Sequence, residues 1–122
     1  MAVRPDMREP TYFLLAALLD GPLHGHGIIK RAKEISDDRV CLAAGTLYAA
    51  LDRLTREGLI APAREEIVNG RLRQYYKLTP CGTAAVNTEA DRMAKAARLV
   101  ISRRTTSSGS AFPTPGPAMR YA

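Results

Sequence analysis

The stretch from Gly45 to Thr79 limits what this chain can fold into more than any other. It reads GTLYAALDRLTREGLI, then a short charged segment, then NGRLRQYYKLT. Asn69-Gly70 is the strongest short-range hairpin signal, because both residues tolerate positive φ. It predicts a strand at about Ile60 to Val68 and a return strand from Arg71 to Leu78, carrying the β-favouring Tyr75 and Tyr76. Strand alternation sends these two tyrosines to opposite faces, one toward a core and one outward. Upstream, Leu47, Leu51 and Leu54 recur at helical spacing with Ala50 beside them. They predict a helix from Gly45 or Thr46 to just before Gly58. Its opposite face shows Ala49, Asp52, Arg53 and Arg56, flanked by Thr46 and Tyr48.

Two more helices are legible before this one. The first starts near Pro10, a residue suited to a first helical turn. It carries Tyr12, Phe13, Leu14, Leu15, Leu18 and Leu19, is apolar nearly all round, and so must be covered on most sides. Asp20-Gly21-Pro22 stops it. The second fits His26 to Ser36, with Ile28, Ala32 and Ile35 on one face, Ile29 at its edge, and Lys30, Arg31, Lys33 and Glu34 outward. After Thr79-Pro80 a last helix runs to about Arg103. In it Val86, Ala90, Met93, Ala97 and Val100 form a seam of heptad type. Pairing of this seam with a second copy is favoured over folding back, because the first three helices already cover one another. From Thr105 onward the Ser, Thr, Pro and Gly content and the lack of an apolar period predict a disordered tail.

The fold class is therefore mainly α with a small β-hairpin: a winged helix-turn-helix plus a C-terminal dimerisation helix. The expected organisation is an N-terminal arm (1–9), a winged domain (10–79), the dimerisation helix (80–104) and a tail (105–122). At 122 residues, the length allows one small domain. Eighteen Lys and Arg against 12 Asp and Glu give a net charge of +6, which favours an anionic partner, nucleic acid before membrane. The run TYFLLAALL is too short to span a bilayer and lacks the flanks of a signal peptide, so the expected location is the cytoplasm. In winged helices, a helix with short residues and long cations on its outer face enters a major groove, and the hairpin follows the flanking backbone or minor groove.

The segments GPLHGHGIIKRAKEI, GTLYAALDRLTREGLI and NGRLRQYYKLTPCG together resemble the PadR family of bacterial transcriptional regulators. The resemblance covers about Tyr12 to Arg103. The motifs that carry it are Gly21 to His26, Gly45 to Leu51 and Gly70 to Thr79. His26 stands where the family usually has Tyr, Gly27 where it has Glu, and Ala49 where it has Pro. Ala43-Ala44 replaces the usual Ser-Pro, so the third helix lacks its side-chain N-cap. The resemblance implies a homodimeric repressor, released from its operator by a small molecule or another signal, in the short form with one C-terminal helix. On that reading Thr46 and Tyr48 hydrogen-bond phosphates, while Ala49, Asp52, Arg53 and Arg56 face base edges, Arg53 being the best candidate for guanine. Arg71 and Arg73 hold the flanking backbone or minor groove, and Lys30 and Arg31 add phosphate contacts.

Rival readings rest on fewer residues. His24 and His26, with Cys41 not far along, suggest a metal sensor, but no third or fourth ligand is obvious and no metal or other cofactor is expected. Cys41 and Cys81 form neither a disulfide framework nor a zinc pattern, and read as reduced thiols with redox sensing as the alternative. No glycine-rich phosphate loop, nucleophile elbow or apolar carboxylate pair supports an enzyme. A winged-helix module that binds protein instead of DNA is the remaining alternative, motivated by the missing cap and Ala49.

Overall fold

A computed structural model describes residues 7–110 of the chain. The elements run α1 (Glu9–Ala17), β1 (Leu23–His24), α2 (Gly25–Ile35), α3 (Ala44–Arg56), β2 (Ile60–Val68), β3 (Arg71–Leu78) and α4 (Pro80–Ser110). The chain divides into two compact units, with the break between Glu89 and Ala90 inside α4.

The first unit is built on nine buried aliphatic residues: Leu14, Leu15, Leu18, Ile28, Leu47, Leu51, Leu54, Ile60 and Val86. Every element except β1 and β3 contributes at least one, and those two cover the cluster with Leu23, Tyr76 and Leu78. Removing such a side chain from water is worth about 1.5–3 kcal/mol each, so the leucine stripe of α3 is a principal anchor of the unit. α1 buries Leu14, Leu15 and Ala17, while Leu19, expected among its apolar residues, lies beyond its end and is exposed.

Local backbone chemistry sets the junctions. After α2 the chain turns through two left-handed aspartates, Asp37 and Asp38, a conformation Asp tolerates better than most residues. Ser36, buried there, donates from Oγ to the Lys33 carbonyl (3.3 Å) and accepts from the Val40 amide (2.9 Å). The α3 N-terminus at Ala43 has no side-chain cap, in keeping with the Ala43-Ala44 sequence. Gly58, at φ +77°, closes α3, with the Leu59 amide reaching back to the Leu54 carbonyl.

The strands form a three-stranded antiparallel sheet in the order β1-β3-β2. Asn69 and Gly70, at φ +52° and +77°, make the two-residue turn, and Val68 and Arg71 face each other beside it. The register slips between Pro62 and Glu65, one residue more on β2 than on β3. The Gln74 amide nitrogen ties this bulge down by donating to the Arg64 carbonyl (3.0 Å). Pro62 is tolerated because β2 is an edge strand and the ladder breaks beside it. β1, only two residues long, was not anticipated from sequence. It pairs Leu23 with Tyr76 and His24 with Tyr75.

α4 enters this unit at Thr79, whose hydroxyl donates to the Gly58 carbonyl (2.6 Å) and accepts from the Gly82 amide (3.0 Å). Val86 belongs to the unit's own core at 2% exposure. It is therefore not available to a partner, which corrects its place in the expected intermolecular seam. The reason is that the first turns of α4 complete the core that α1 to α3 leave open. In the second unit Met93, Leu99, Val100 and Ile101 are all exposed. The α4 backbone stays helical to Ser110, beyond the expected end near Arg103, and the rest of the expected tail lies outside the described residues.

Candidate nucleic-acid interface

α3 presents Thr46, Tyr48, Ala49, Asp52 and Arg56 to solvent on the faces away from its leucine stripe. Its tyrosine is held in place by an absence. A Cβ on Gly25, the first residue of α2, would overlap the Tyr48 hydroxyl oxygen, so only glycine lets the phenol lie across the start of α2. Arg53, expected to reach base edges, is half-buried, and its Nη2 donates to Thr11 Oγ1 on α1 (3.3 Å). Its position on the flank of α3, near α1, favours this local acceptor over the outer face. Arg56 is the exposed cation of the helix's outer side.

Of the two α2 cations assigned phosphate contacts, Lys30 is exposed. Arg31 is engaged instead, with Asp20 at 3.2 Å and Glu34 at 3.6 Å. Such exposed pairs are weak, roughly 0–1 kcal/mol, so they do not lock the guanidinium.

The wing carries Arg71 exposed at its tip and Arg73 half-buried opposite Glu66. Tyr75, on the same face as Arg73, is the hinge of a small polar cluster. Its hydroxyl donates to Glu66 Oε1 (2.7 Å), Arg64 stacks on its ring with Cζ 3.9 Å from the centroid, and the His24 ring lies 5.3 Å away. Burial, then the nearby Arg73 and His26 charges, hold the His24 imidazole below its ordinary pKa. Tyr76 points the other way, into the cover of the core. Burial chiefly, with Asp52 and Tyr48 adding, pushes its phenol above the ordinary value. Both tyrosines are only partly buried, so the expected split into one core and one exposed residue is a split of faces rather than of exposure.

Between the start of α2, Tyr48 and the wing lies an open cleft of about 610 Å³. His24, His26, Tyr48, Asn69, Arg71 and Arg73 are among its lining residues. The sequence alone points Tyr48 and the two arginines to an interface, whereas only the fold brings the two histidines beside them. What brings His24 to the wing is β1, too short to leave a periodic signal. Among the described residues no group of three or more His, Cys, Asp or Glu is placed to hold a metal ion. Cys41 and Cys81 are exposed free thiols. No helix among the described residues is long and apolar enough to cross a membrane.

A small helical core with an exposed third helix and a hairpin beside it defines a winged helix-turn-helix protein. The chain belongs to the PadR-like family of transcriptional regulators, which matches residues 14–88. It is 31% identical over 90 residues to a transcriptional regulator of Mycobacterium tuberculosis, a match covering 74% of this chain and 80% of the relative. It is also 42% identical over 87 residues to an uncharacterized 37.1 kDa protein in transposon TN4556 of Streptomyces fradiae. That match covers 71% of this chain but only 24% of the relative, so the chain spans about a quarter of that protein. Among solved structures it is similar to Bacillus subtilis PadR in complex with operator DNA. The TM-score is 0.62 at 25% identity, over 86% of this chain and 65% of that one. A PadR family transcription regulator from Clostridium difficile shares the fold with a TM-score of 0.65 at 22% identity, over 78% of this chain and 97% of that one. The family consists of transcriptional regulators, not enzymes.

Proposed function

We propose that this chain is a sequence-specific DNA-binding regulator, a homodimeric repressor released from its operator by a small molecule or another signal. The observation that carries the reading is the cleft. It brings Tyr48 of α3 and Arg71 and Arg73 of the wing to one concave surface beside the exposed face of α3. A duplex backbone running through it would meet two guanidinium groups and a phenol, while α3 lies in the adjoining major groove. The operator complex of Bacillus subtilis PadR, a structural relative, supports the same use of the fold.

In this reading Ala49, Asp52 and Arg56 address base edges, and Thr46, Tyr48 and Lys30 address phosphates. Arg31 and Arg53 join only by leaving the partners that hold them. Dimerisation uses the exposed stripe of Met93, Ala97 and Val100, with the half-buried Ala90 at its edge. Two copies would set two α3 helices about one helical turn apart. A regulator acting on bacterial operator DNA works in the cytoplasm.

The test is fluorescence anisotropy of the protein with its own upstream DNA and with a scrambled duplex, each across a salt series. The expected result is tight binding to the first alone, with a log–log salt slope of several units. Equal, weak binding to both would overturn the reading and direct the search to a protein partner.

A further inference from the structure

The wing ends in an apolar pair that the contacts above do not use. Ile67 and Leu72 are 72% and 63% exposed, the two most exposed large aliphatics among the described residues of the first unit. They face each other directly across β2 and β3, one step from the Val68–Arg71 pair that closes the Asn69-Gly70 turn. In an antiparallel ladder, the step next to a hydrogen-bonded closing pair is the close-set one, which presses the two side chains into a single ridge. Single exposed aliphatics are ordinary on a protein surface. A facing pair on the tip of a hairpin, next to Arg71, is a narrow apolar edge with a cation beside it.

The ridge is also aimed. Leu72 alternates with Gln74 and Tyr76 along β3, so it shares the face that, at the base of the wing, packs on the core near α3. Leu72 lines the same cleft as Tyr48. The tip therefore addresses the side of the molecule that α3 addresses. A narrow apolar edge flanked by a guanidinium is complementary to a minor groove, whose walls are deoxyribose carbons and whose rims are phosphates. Aliphatic side chains are the residues other minor-groove proteins insert there.

We propose that Ile67 and Leu72 form an apolar wedge that enters the minor groove flanking the α3-contacted site, and that it favours base pairs lacking the guanine N2 amino group. This rests on the DNA-binding reading above. The amino group is the one donor on the minor-groove floor, and an aliphatic tip covering it leaves it without water or an acceptor. The wedge thus supplies sequence preference at positions that α3 does not touch, while Arg71 and Arg73 supply affinity.

The test compares duplexes that keep the central site and change only the flanking pairs, from A·T to G·C to inosine·C. Inosine removes the N2 amino group and keeps the major-groove edge of guanine. The protein should bind the A·T and inosine·C flanks about equally, and the G·C flank roughly fivefold more weakly, the low end of the cost of one altered base pair. The double variant Ile67→Ser/Leu72→Ser should lose that preference and keep its salt slope, since the arginines remain. Both positions are exposed, so circular dichroism should show an unchanged fold, and Leu72→Met should retain the preference. A wild-type protein indifferent to the flanks, or a serine variant that still discriminates, would overturn the wedge alone. Failure of the wild-type protein to prefer its upstream DNA over the scrambled duplex would overturn the DNA-binding reading and the wedge with it.

Discussion

Gly25 and Tyr48 are in such close approach that a β-carbon on the first would overlap the hydroxyl oxygen of the second. The contact joins the start of α2 to the exposed side of α3, and it fixes where the phenol sits in the cleft. Gly25→Ala should make the exposed ring swing aside, at a stability cost of about 1 kcal/mol or less because only the free end of a side chain has to move, and should weaken duplex binding. Tyr48→Ala removes the obstacle, so the double variant should be no less stable than Tyr48→Ala alone. Urea unfolding of the three variants measures this coupling, and strictly additive losses would show that the two residues do not interact.

A second glycine contact secures α4. A Cβ on Gly82 would run into the backbone carbonyl of Leu59, which, unlike a side chain, cannot rotate away. Gly82→Ala should therefore destabilise the winged unit by at least about 1–3 kcal/mol. Gly45, with open space around it in α3, gives the contrast: Gly45→Ala should be neutral or stabilising by up to about 1 kcal/mol. Chemical denaturation of both variants checks the pair of signs.

His24 makes stability depend on pH. Its folded-state pKa lies below the ordinary value of 6.5, chiefly through burial and then through Arg73 and His26. The unfolded chain thus binds this proton more readily than the folded one. The contribution is intact above about 6.5 and is lost as pH falls from there through the folded pKa. His24→Gln should flatten that part of the stability profile, measured by urea midpoints between neutral and mildly acidic pH. An unchanged slope would mean that the imidazole is equally solvated in both states.

The two arginines of α3 should separate by assay. Arg56→Ala should relax base preference at one position of each half-site without changing thermal stability, because Arg56 is exposed. Arg53→Ala should lower stability by roughly 0.5–1.5 kcal/mol through loss of the hydrogen bond to Thr11. Selection of bound sequences alongside thermal melts distinguishes these outcomes. If Arg53→Ala alone relaxed base preference, its side chain must leave Thr11 on binding.

Arg73→Ala should weaken all duplexes alike and reduce the salt slope by about 0.9, the release associated with one phosphate contact. Anisotropy titrations at several salt concentrations read this directly. An unchanged slope would remove Arg73 from the backbone contacts.

Much of the winged unit was legible because its signals are local. The Asn69-Gly70 turn needs two residues that accept positive φ, and it registers β2 against β3 from Val68–Arg71 as far as Glu65–Gln74, where the bulge begins. The leucine spacing of α3 marks its buried face, and the Ala43-Ala44 pair already announced a helix start without a side-chain cap. These features depend on near neighbours in the chain, and sequence by itself determined them.

Tertiary structure decided the rest, because those features depend on residues far apart in sequence. β1 is two residues long and exists only because β3 offers it an edge, which carries His24 to Tyr75. Arg53 looked like an outward cation on a helical projection, yet Thr11, 42 residues earlier, supplies the acceptor that holds it. Val86 fits a heptad seam as well as Met93 does. Only the gap left by α1, α2 and α3 makes it a core residue while Met93 stays exposed. A periodicity shows that a face must be covered, and only the packed chain shows what covers it.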